Sequence, residues 1–251
     1  MITRTHDMPS EIDFSTFPDS DGLPMADNEI NPEQMIDLIL PGKQALEPRG
    51  HHVGGNLLMY YDSFDGRKHL SPDVFVALDV DPAPRASWKT WVEGKFPEVV
   101  FEIASPSTRD RDIGEKVSLY GALGAREYYI FDPARQLDPP FRGYLLQGGR
   151  VALLPNPTGR RIISPLLELE LRVVEDRLRL IDPETDAPYL LPLEALARAK
   201  EAMLAQREAE QRAAAAEARA TAAEARLQEL LARLAAVQPN DDGMPDEPRA
   251  D

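Results

Sequence analysis

Residues 97–133 read PEVVFEIASPSTRDRDIGEKVSLYGALGAREYYIFDP, and their pattern indicates the fold class. They contain two apolar runs, 99–104 and 128–131, with the length and composition of buried strands. Between them, residues 110–123 predict a helix, which Ser107 or Thr108 could cap and Gly124 could end. A helix between two strands, with further strands on both sides, predicts an α/β or α+β domain built on a mixed sheet.

Beyond these residues, the sequence predicts two more helices before them and several short strands on either side. Asn31 and Pro32 are typical of an N-cap and a first helical residue, and Pro41-Gly42 should interrupt that helix early. A short helix carrying both tryptophans is expected at 86–93. Further strands are predicted at 53–61, 72–78, 143–146, 151–154, 167–173 and 177–181.

Charge and composition divide the chain into four parts. Residues 1–28 and 238–251 are polar and acidic, so we expect both ends to be disordered. A folded domain is predicted over 29–191, followed by an Ala/Glu/Arg-rich helix over 192–237. The net charge is −15, yet residues 49–237 carry only −3 of it. This near-neutral body neither excludes nucleic acid nor supports it.

The C-terminal helix has a 3.5-residue repeat. Apolar residues occupy heptad positions a (Ala213, Ala220, Leu227, Leu234) and d (Ala216, Ala223, Leu230, Val237). This register predicts a coiled coil, through which the chain would form a homodimer. The alternative is a solvated single helix held by Glu/Arg pairs four residues apart.

Composition also excludes several kinds of site. The chain has no cysteine, which rules out disulfides, thiolate metal sites and cysteine nucleophiles. No apolar run is long enough for a signal peptide or a membrane helix, so we expect a cytoplasmic protein without membrane contact. A serine hydrolase is disfavoured because the Gly-x-Ser-x-Gly motif is missing, and the adjacent His51-His52 pair is poorly spaced for chelation.

Two acidic residues occur where apolar strands are predicted. Asp73 opens one strand, and Glu102 lies between Phe101 and Ile103 in another. Carboxylates are rarely buried without a partner, so a shared cation is indicated, and oxygen ligands favour Mg²⁺ or Mn²⁺. In the following helix, the spacing of Asp112, Lys116 and Tyr120 places them on one face. Asp73, Glu102 and Lys116 together suit metal-assisted phosphoryl hydrolysis.

Each of these residues also has a purely structural interpretation. Asp73 could cap a turn after Pro72, and Glu102 could pair with a structural Arg or Lys. Lys116 could form an ordinary i, i+4 pair with Asp112 or Tyr120.

The order of the motifs resembles a known bacterial family. The motifs are Pro72-Asp73, residues 102–108 (EIASPST), the helical Asp112, Lys116 and Tyr120, and residues 124–133 (GAREYYIFDP). Over roughly residues 53–182 the chain is similar to the family named "putative restriction endonuclease", once a domain of unknown function, in the PD-(D/E)xK nuclease superfamily. A variant of that family with Gly-Gly-Asn before the Pro-Asp strand and an Ala/Glu/Arg-rich tail looks especially similar.

The resemblance implies a restriction-endonuclease-like core, a mixed sheet flanked by helices. It implies that Asp73 and Glu102 bind Mg²⁺, joined by the backbone carbonyl of Ile103. The superfamily's usual lysine position holds Ala104 here, and Lys116 matches a lysine supplied from the next helix. The family often adds an N-terminal acid, for which Glu33 is the first candidate, with Glu29 and Asp37 as others. Asp112 and Tyr120 are possible additional site residues.

The resulting hypothesis is a Mg²⁺-dependent endonuclease that hydrolyses DNA phosphodiester bonds, with Mn²⁺ as an alternative ion. A second hypothesis is a catalytically inactive nuclease fold that binds or assembles through its tail. A third is a toxin-like or mobile-element nuclease masked by a partner. The few scattered arginines, Arg109, Arg111 and Arg126, form no clear nucleic-acid footprint.

Overall fold

Residues 97–105 and 109–133 form the centre of the fold. The structure, a computed structural model, describes residues 14–20, 30–105 and 109–237. Its strands are β1 His52–Gly54, β2 Met59–Tyr60, β3 His69–Leu70, β4 Val74–Ala77, β5 Trp88–Lys89, β6 Val99–Ile103, β7 Glu127–Phe131, β8 Phe141–Gln147, β9 Arg150–Leu153, β10 Arg161–Ser164, β11 Leu169–Val174 and β12 Arg177–Ile181. Its α-helices are α1 Ile30–Leu46, α2 Thr90–Glu93, α3 Arg109–Ile113, α4 Glu115–Leu123 and α5 Pro192–Val237. The predicted caps Ser107 and Thr108, the candidate Glu29 and residues 238–251 lie outside the described residues.

The main sheet has six strands in the order β1-β4-β6-β7-β8-β9. Strands β6 and β7 are parallel, with Glu102 opposite Ile130, and the other neighbours are antiparallel. Helices α3 and α4 make the connection between the parallel strands. Two three-stranded sheets, β10-β11-β12 and β3-β2-β5, complete this unit. The structure therefore confirms the predicted mixed sheet with helices.

The two faces of the main sheet are covered by different elements. Alternate residues point to opposite faces of a strand, so Phe101 and Tyr129 enter one apolar cluster with Leu38 and Leu46 of α1 and with the β10-β11-β12 sheet. Val100 enters the other cluster, which includes side chains of α4 and of the β3-β2-β5 sheet. Glu102 follows Val100 by two residues and therefore faces α4.

The sequence predicted that helix α1 would end at Pro41, but the helix continues past this residue. It runs from Ile30 to Leu46 with Pro41 inside it, so Asn31 lies within the first turn and is not an N-cap. A proline inside a helix removes one backbone hydrogen bond and costs about 3 kcal/mol. Burial of Leu38 and Leu46 against the sheet stabilises the helix on both sides of the proline and offsets that cost.

Other boundaries also differ from the prediction. The run at 53–61 is split into β1 and β2, and Trp88 lies in strand β5 ahead of the single turn α2. The helix predicted at 110–123 divides into α3 and α4 at Gly114, whose backbone angles (φ −112°, ψ −91°) are not helical. Glycine tolerates such angles because it has no Cβ. As predicted, Gly124 ends α4, in the left-handed conformation.

Residues 14–20 differ from the disorder expected for 1–28. Phe14–Thr16 form a 3-10 turn, and the Phe17 ring is 4% exposed. It packs edge-on against Tyr60 and Trp91, and the Tyr60 hydroxyl donates to the Pro18 carbonyl at 2.5 Å. One aromatic side chain thus anchors a polar segment that composition alone assigned to disorder.

The chain forms two compact units, Met1–Pro192 and Leu193–Asp251. The described part of the second unit belongs to α5, which has 46 residues from Pro192 onward. Its described side chains are exposed, including Leu227, Leu230 and Leu234. No helix in the described ranges is long and apolar enough to span a membrane.

Candidate active site

Asp73 is fixed at the edge of the sheet where β4 begins and β6 ends. Because β4 and β6 are antiparallel, with Val74 opposite Phe101, the same register places Asp73 opposite Glu102 and next to Ile103. The Ile103 backbone N–H donates to Asp73 Oδ2 at 2.7 Å. This bond holds one carboxylate oxygen against the strand that carries Glu102.

The loop after β1 lies directly against the backbone of Asp73. A Cβ added to Gly55 would lie 2.2 Å from the Asp73 carbonyl oxygen and 2.7 Å from Ile39 Cδ1. The Asn56 N–H donates to the Pro72 carbonyl at 2.9 Å. Only glycine permits this close approach, so the Gly-Gly-Asn sequence supports the position of Asp73.

Glu102 is buried on the face of the sheet that packs against α4. Its side chain is 4% exposed. The Tyr120 hydroxyl donates to Glu102 Oε1 at 2.5 Å, and Lys116 Nζ lies 3.0 Å from the same oxygen. Both contacts come from α4, so that helix orients the Glu102 carboxylate.

Asp112 completes the cluster from α3. Its Oδ1 lies 2.8 Å from Lys116 Nζ, across the Gly114 break. The Tyr128 hydroxyl donates to the Asp112 backbone carbonyl at 3.0 Å and ties α3 to β7. Asp112 is 1% exposed, and its Oδ2 has no hydrogen-bond partner within the described part of the chain.

The cluster has more negative than positive groups. Lys116 is the cation that contacts both Glu102 and Asp112, and Asp73 is a third carboxylate beside them. Burial, with Asp73 and Asp112 nearby, raises the pKa of Glu102 to about 8, against the opposing effect of Lys116. Burial also raises the pKa of Asp73. Although burial disfavours the ammonium, Glu102 and Asp112 raise the pKa of Lys116, which therefore stays charged.

The structure brings together most of the residues proposed from the sequence. Asp73, Glu102, Ile103 and Lys116 adjoin one another, and the two additional candidates Asp112 and Tyr120 contact them.

Of the N-terminal acids that the structure describes, Glu33 and Asp37 do not join this cluster. Glu33 is 67% exposed and lies 3.4 Å from Arg177 Nη1, and the buried Asp37 also pairs with Arg177. Helix α1 instead supplies Asn31, whose Nδ2 donates to the Ile103 carbonyl at 3.2 Å. The sequence predicts Asn31 as a helix N-cap, and no local sequence pattern indicates its contact with Ile103. The two residues are 72 positions apart in the chain.

The donor set fits a hard divalent cation. A carbonyl oxygen has two lone pairs, so the Ile103 carbonyl can accept from Asn31 and still serve as a ligand. Within the described ranges, no group of three His, Asp or Glu side chains is arranged so that it could hold a metal ion. Mg²⁺ does not need such a group, because it commonly binds one or two carboxylates and keeps several waters. The excess negative charge and the buried, unpaired Asp112 Oδ2 favour a cation here.

Residues 33–175 match the family Uma2, described as "Putative restriction endonuclease". The chain belongs to this family. The matched range is more than half of the chain and contains all four charged residues of the cluster. Membership in Uma2 thus supports a nuclease as the general function.

Comparison with solved structures matched a "putative nuclease belonging to DUF820" from Anabaena variabilis, with 14% sequence identity and a TM-score of 0.42. The match covers 58% of this chain and 76% of that one. A search among curated proteins found no match.

Proposed function

We propose that this Uma2 protein is a Mg²⁺-dependent endonuclease that hydrolyses phosphodiester bonds in DNA, with Mn²⁺ able to replace Mg²⁺. The observation that carries the proposal is the cluster of Asp73, Glu102 and Asp112 around the single ammonium of Lys116. Such a site has the oxygen ligands for a divalent cation and a fixed positive charge beside it. Membership in a family described as "Putative restriction endonuclease" supports this class of reaction.

Asp73, Glu102 and the Ile103 carbonyl would hold the cation. When bound, it would polarise the phosphate and lower the pKa of a water molecule. Asp73 is already oriented by the Ile103 N–H, and Glu102 by the Tyr120 hydroxyl. Preorganised ligands of this kind need little rearrangement when substrate binds.

Lys116 would orient the attacking water or stabilise the charge that develops on the phosphate oxygens. Asp112 acts as a positioning residue, because its Oδ1 contact at 2.8 Å holds the ammonium next to Glu102. Tyr128 in turn holds the backbone of Asp112. The site is therefore supported from β4, β6, β7 and both connecting helices.

The test is cleavage of supercoiled plasmid by purified protein with Mg²⁺ or Mn²⁺. Asp73→Asn, Glu102→Gln and Lys116→Met remove one charge each with little change of shape, and Asp79→Asn is the matched control because that side chain is 88% exposed. We expect metal-dependent nicking by the parent and the control, and loss of at least about 100-fold in the three site variants. Equal nicking by all five proteins would contradict the assignment.

We further propose that α5 joins two copies of the chain, which would provide two sites for the two strands of a duplex. The supporting observation is the exposed seam of Leu227, Leu230 and Leu234 at heptad spacing.

The same exposed helix supports a second candidate function, a catalytically inactive scaffold that assembles through its tail. Calorimetric titration with Mn²⁺ separates the two functions, because an inactive scaffold has no need of the ion. Binding that is lost in Asp73→Asn supports the nuclease, and no binding at all supports the scaffold.

A further inference from the structure

Charged residues flank the apolar seam of α5 in a regular order. With Ala213 and Ala220 at position a, the four g positions from 212 to 233 all hold arginine. Three of the four e positions from 210 to 231 hold glutamate. The g residues are Arg212, Arg219, Arg226 and Arg233, and the e residues are Glu210, Glu217, Glu224 and Leu231. The described side chains of α5 are exposed, so both rows are available to a partner.

This order distinguishes the two ways in which helices can pair. In a parallel coiled coil, a g residue faces the e residue of the next heptad on the partner, so Arg212 faces Glu217 and Arg219 faces Glu224. In an antiparallel pair, g faces g and e faces e, so arginine would meet arginine and glutamate would meet glutamate. Like charges at these positions destabilise the pair.

Contacts within one helix do not oppose the parallel arrangement. Arg212 lies 3.4 Å from Glu208 and Arg233 lies 2.8 Å from Glu229, and these side chains are all more than 60% exposed. Exposed pairs of this kind contribute little to stability, so exchanging them for contacts with a partner costs little.

We propose that α5 pairs with a second copy of itself as a parallel, in-register, two-stranded coiled coil. Leu227, Leu230 and Leu234 supply most of the apolar contact, and the alanines before them allow close approach of the helices. The Arg/Glu rows select the orientation. Both helices then begin at the same end of the coiled coil. This inference rests on the proposed dimer and not on the cleavage reaction.

Cysteine cross-linking of the full chain tests the orientation, because the natural sequence has no cysteine. Ala216→Cys is at position d, where the two copies meet only if the helices are parallel and in register. Ala218→Cys, at the outer position f, is the matched control. Cysteines whose Cα atoms are more than about 7 Å apart cannot form a disulfide without backbone movement.

We expect mild oxidation to convert most of the Ala216→Cys protein, but little of the control, to a disulfide-linked dimer. A parent that stays monomeric in sedimentation equilibrium would overturn the dimer itself. A dimeric parent with no preferential linkage at residue 216 would overturn only the parallel arrangement. Neither result depends on plasmid cleavage, so the nuclease proposal is tested separately.

Charge reversal gives an independent test. Arg212→Glu with Arg219→Glu places glutamate against glutamate in a parallel pair, and we expect at least about tenfold weaker dimerisation at low salt. Adding Glu217→Arg and Glu224→Arg to the same chain should restore it. An antiparallel pair would only exchange one repulsion for another, so an unchanged dissociation constant would contradict the proposal.

Discussion

Two buried glutamates lie on the adjacent parallel strands β6 and β7, and their surroundings are opposite in kind. Glu127 starts β7 opposite Val99, whereas Glu102 lies near the end of β6 opposite Ile130. Strand alternation also places them on opposite faces of the sheet. Both are at most 4% exposed, so burial does not distinguish them.

Glu127 is surrounded by neutral donors. Its Oε2 accepts from the Tyr129 hydroxyl at 2.8 Å and from the Ser164 hydroxyl at 2.5 Å. Its Oε1 accepts from the Leu166 N–H at 2.8 Å. Every oxygen is satisfied, and the bonds join the main sheet to the end of β10. This carboxylate has a structural role.

Glu102 has two other carboxylates near it and shares one ammonium with Asp112. Burial is the main cause of its raised pKa, and the two neighbouring carboxylates raise that pKa further. The comparison indicates that a buried acid belongs to a reactive site when the negative charges around it outnumber the positive ones. A buried acid whose oxygens are all satisfied by neutral donors indicates a structural joint.

The largest expected effect is on cleavage. Glu102→Gln should lower the nicking rate at least about 100-fold, because a neutral amide is a poor ligand for a divalent cation. Glu127→Gln should keep a rate close to the parent's when rates are referred to folded protein. Single-turnover plasmid nicking measures both. If the two variants lost activity equally, the distinction between the two glutamates would fail.

The next effect is on stability, where we expect Glu127→Gln to cause the larger loss and Glu102→Gln the smaller one. Glu127→Gln should lower the free energy of unfolding by about 1–3 kcal/mol, because charge-assisted bonds from Tyr129, Ser164 and Leu166 are weakened. Glu102→Gln should leave the stability of metal-free protein unchanged or higher, because it removes a carboxylate from a crowded cluster. Urea denaturation with chelator present measures both. A larger loss in Glu102→Gln would contradict the comparison.

A third prediction concerns the backbone beneath the site. Gly55→Ala should displace Asp73, since the new methyl group would meet a carbonyl oxygen that cannot turn away. We expect about 1–3 kcal/mol of destabilisation and about a tenfold loss of nicking by the folded fraction. Gly121→Ala is the control, because its Cβ would lie 3.6 Å from the nearest Leu146 atoms. Full activity of Gly55→Ala would show that Asp73 does not depend on this contact.

The smallest expected effect is on pH dependence in metal-free protein. Because burial raises the folded-state pKa of Glu102 to about 8, the folded protein holds a proton that the unfolded chain releases near 4.5, the ordinary pKa of a glutamate. This contribution to stability is complete below the unfolded pKa and is lost as pH rises toward 8, by at most about 1.4 kcal/mol per pH unit. Melting curves with chelator at about pH 6 and about pH 8 should show a smaller decline for Glu102→Gln than for the parent. Identical declines would contradict the assigned pKa.

Much of the central fold could be predicted because its information is local. The apolar runs that became β6 and β7 are almost uninterrupted, and Gly124 ends α4 by a purely local preference. Strand β10 was missed because only two of its four residues are buried, so it has little apolar signal. Helix α1 was expected to end at Pro41 because local propensity does not include burial against the sheet.

The residues that make up the candidate site could be predicted in part. Asp73, Glu102 and Lys116 lie in ordered motifs, so their order along the chain could be compared with a family. The role of Asn31 could not be seen in this way, because its contact with Ile103 depends on how α1 packs across the sheet. Glu33 lies two residues further along the same helix and is directed to Arg177 instead.

The ammonium of Lys116 allows the protein to fold before a metal ion binds. It lies 3.0 Å from Glu102 and 2.8 Å from Asp112, so the cluster contains a cation of its own before any metal arrives. Small zinc domains, in contrast, remain unfolded until their ion binds. We therefore expect a newly synthesised copy of this chain to reach its native state in a compartment poor in divalent ions, and the proposed Mg²⁺ would bind afterwards. Withdrawal of the ion would silence such an enzyme reversibly, without sending it to the proteases that remove unfolded chains.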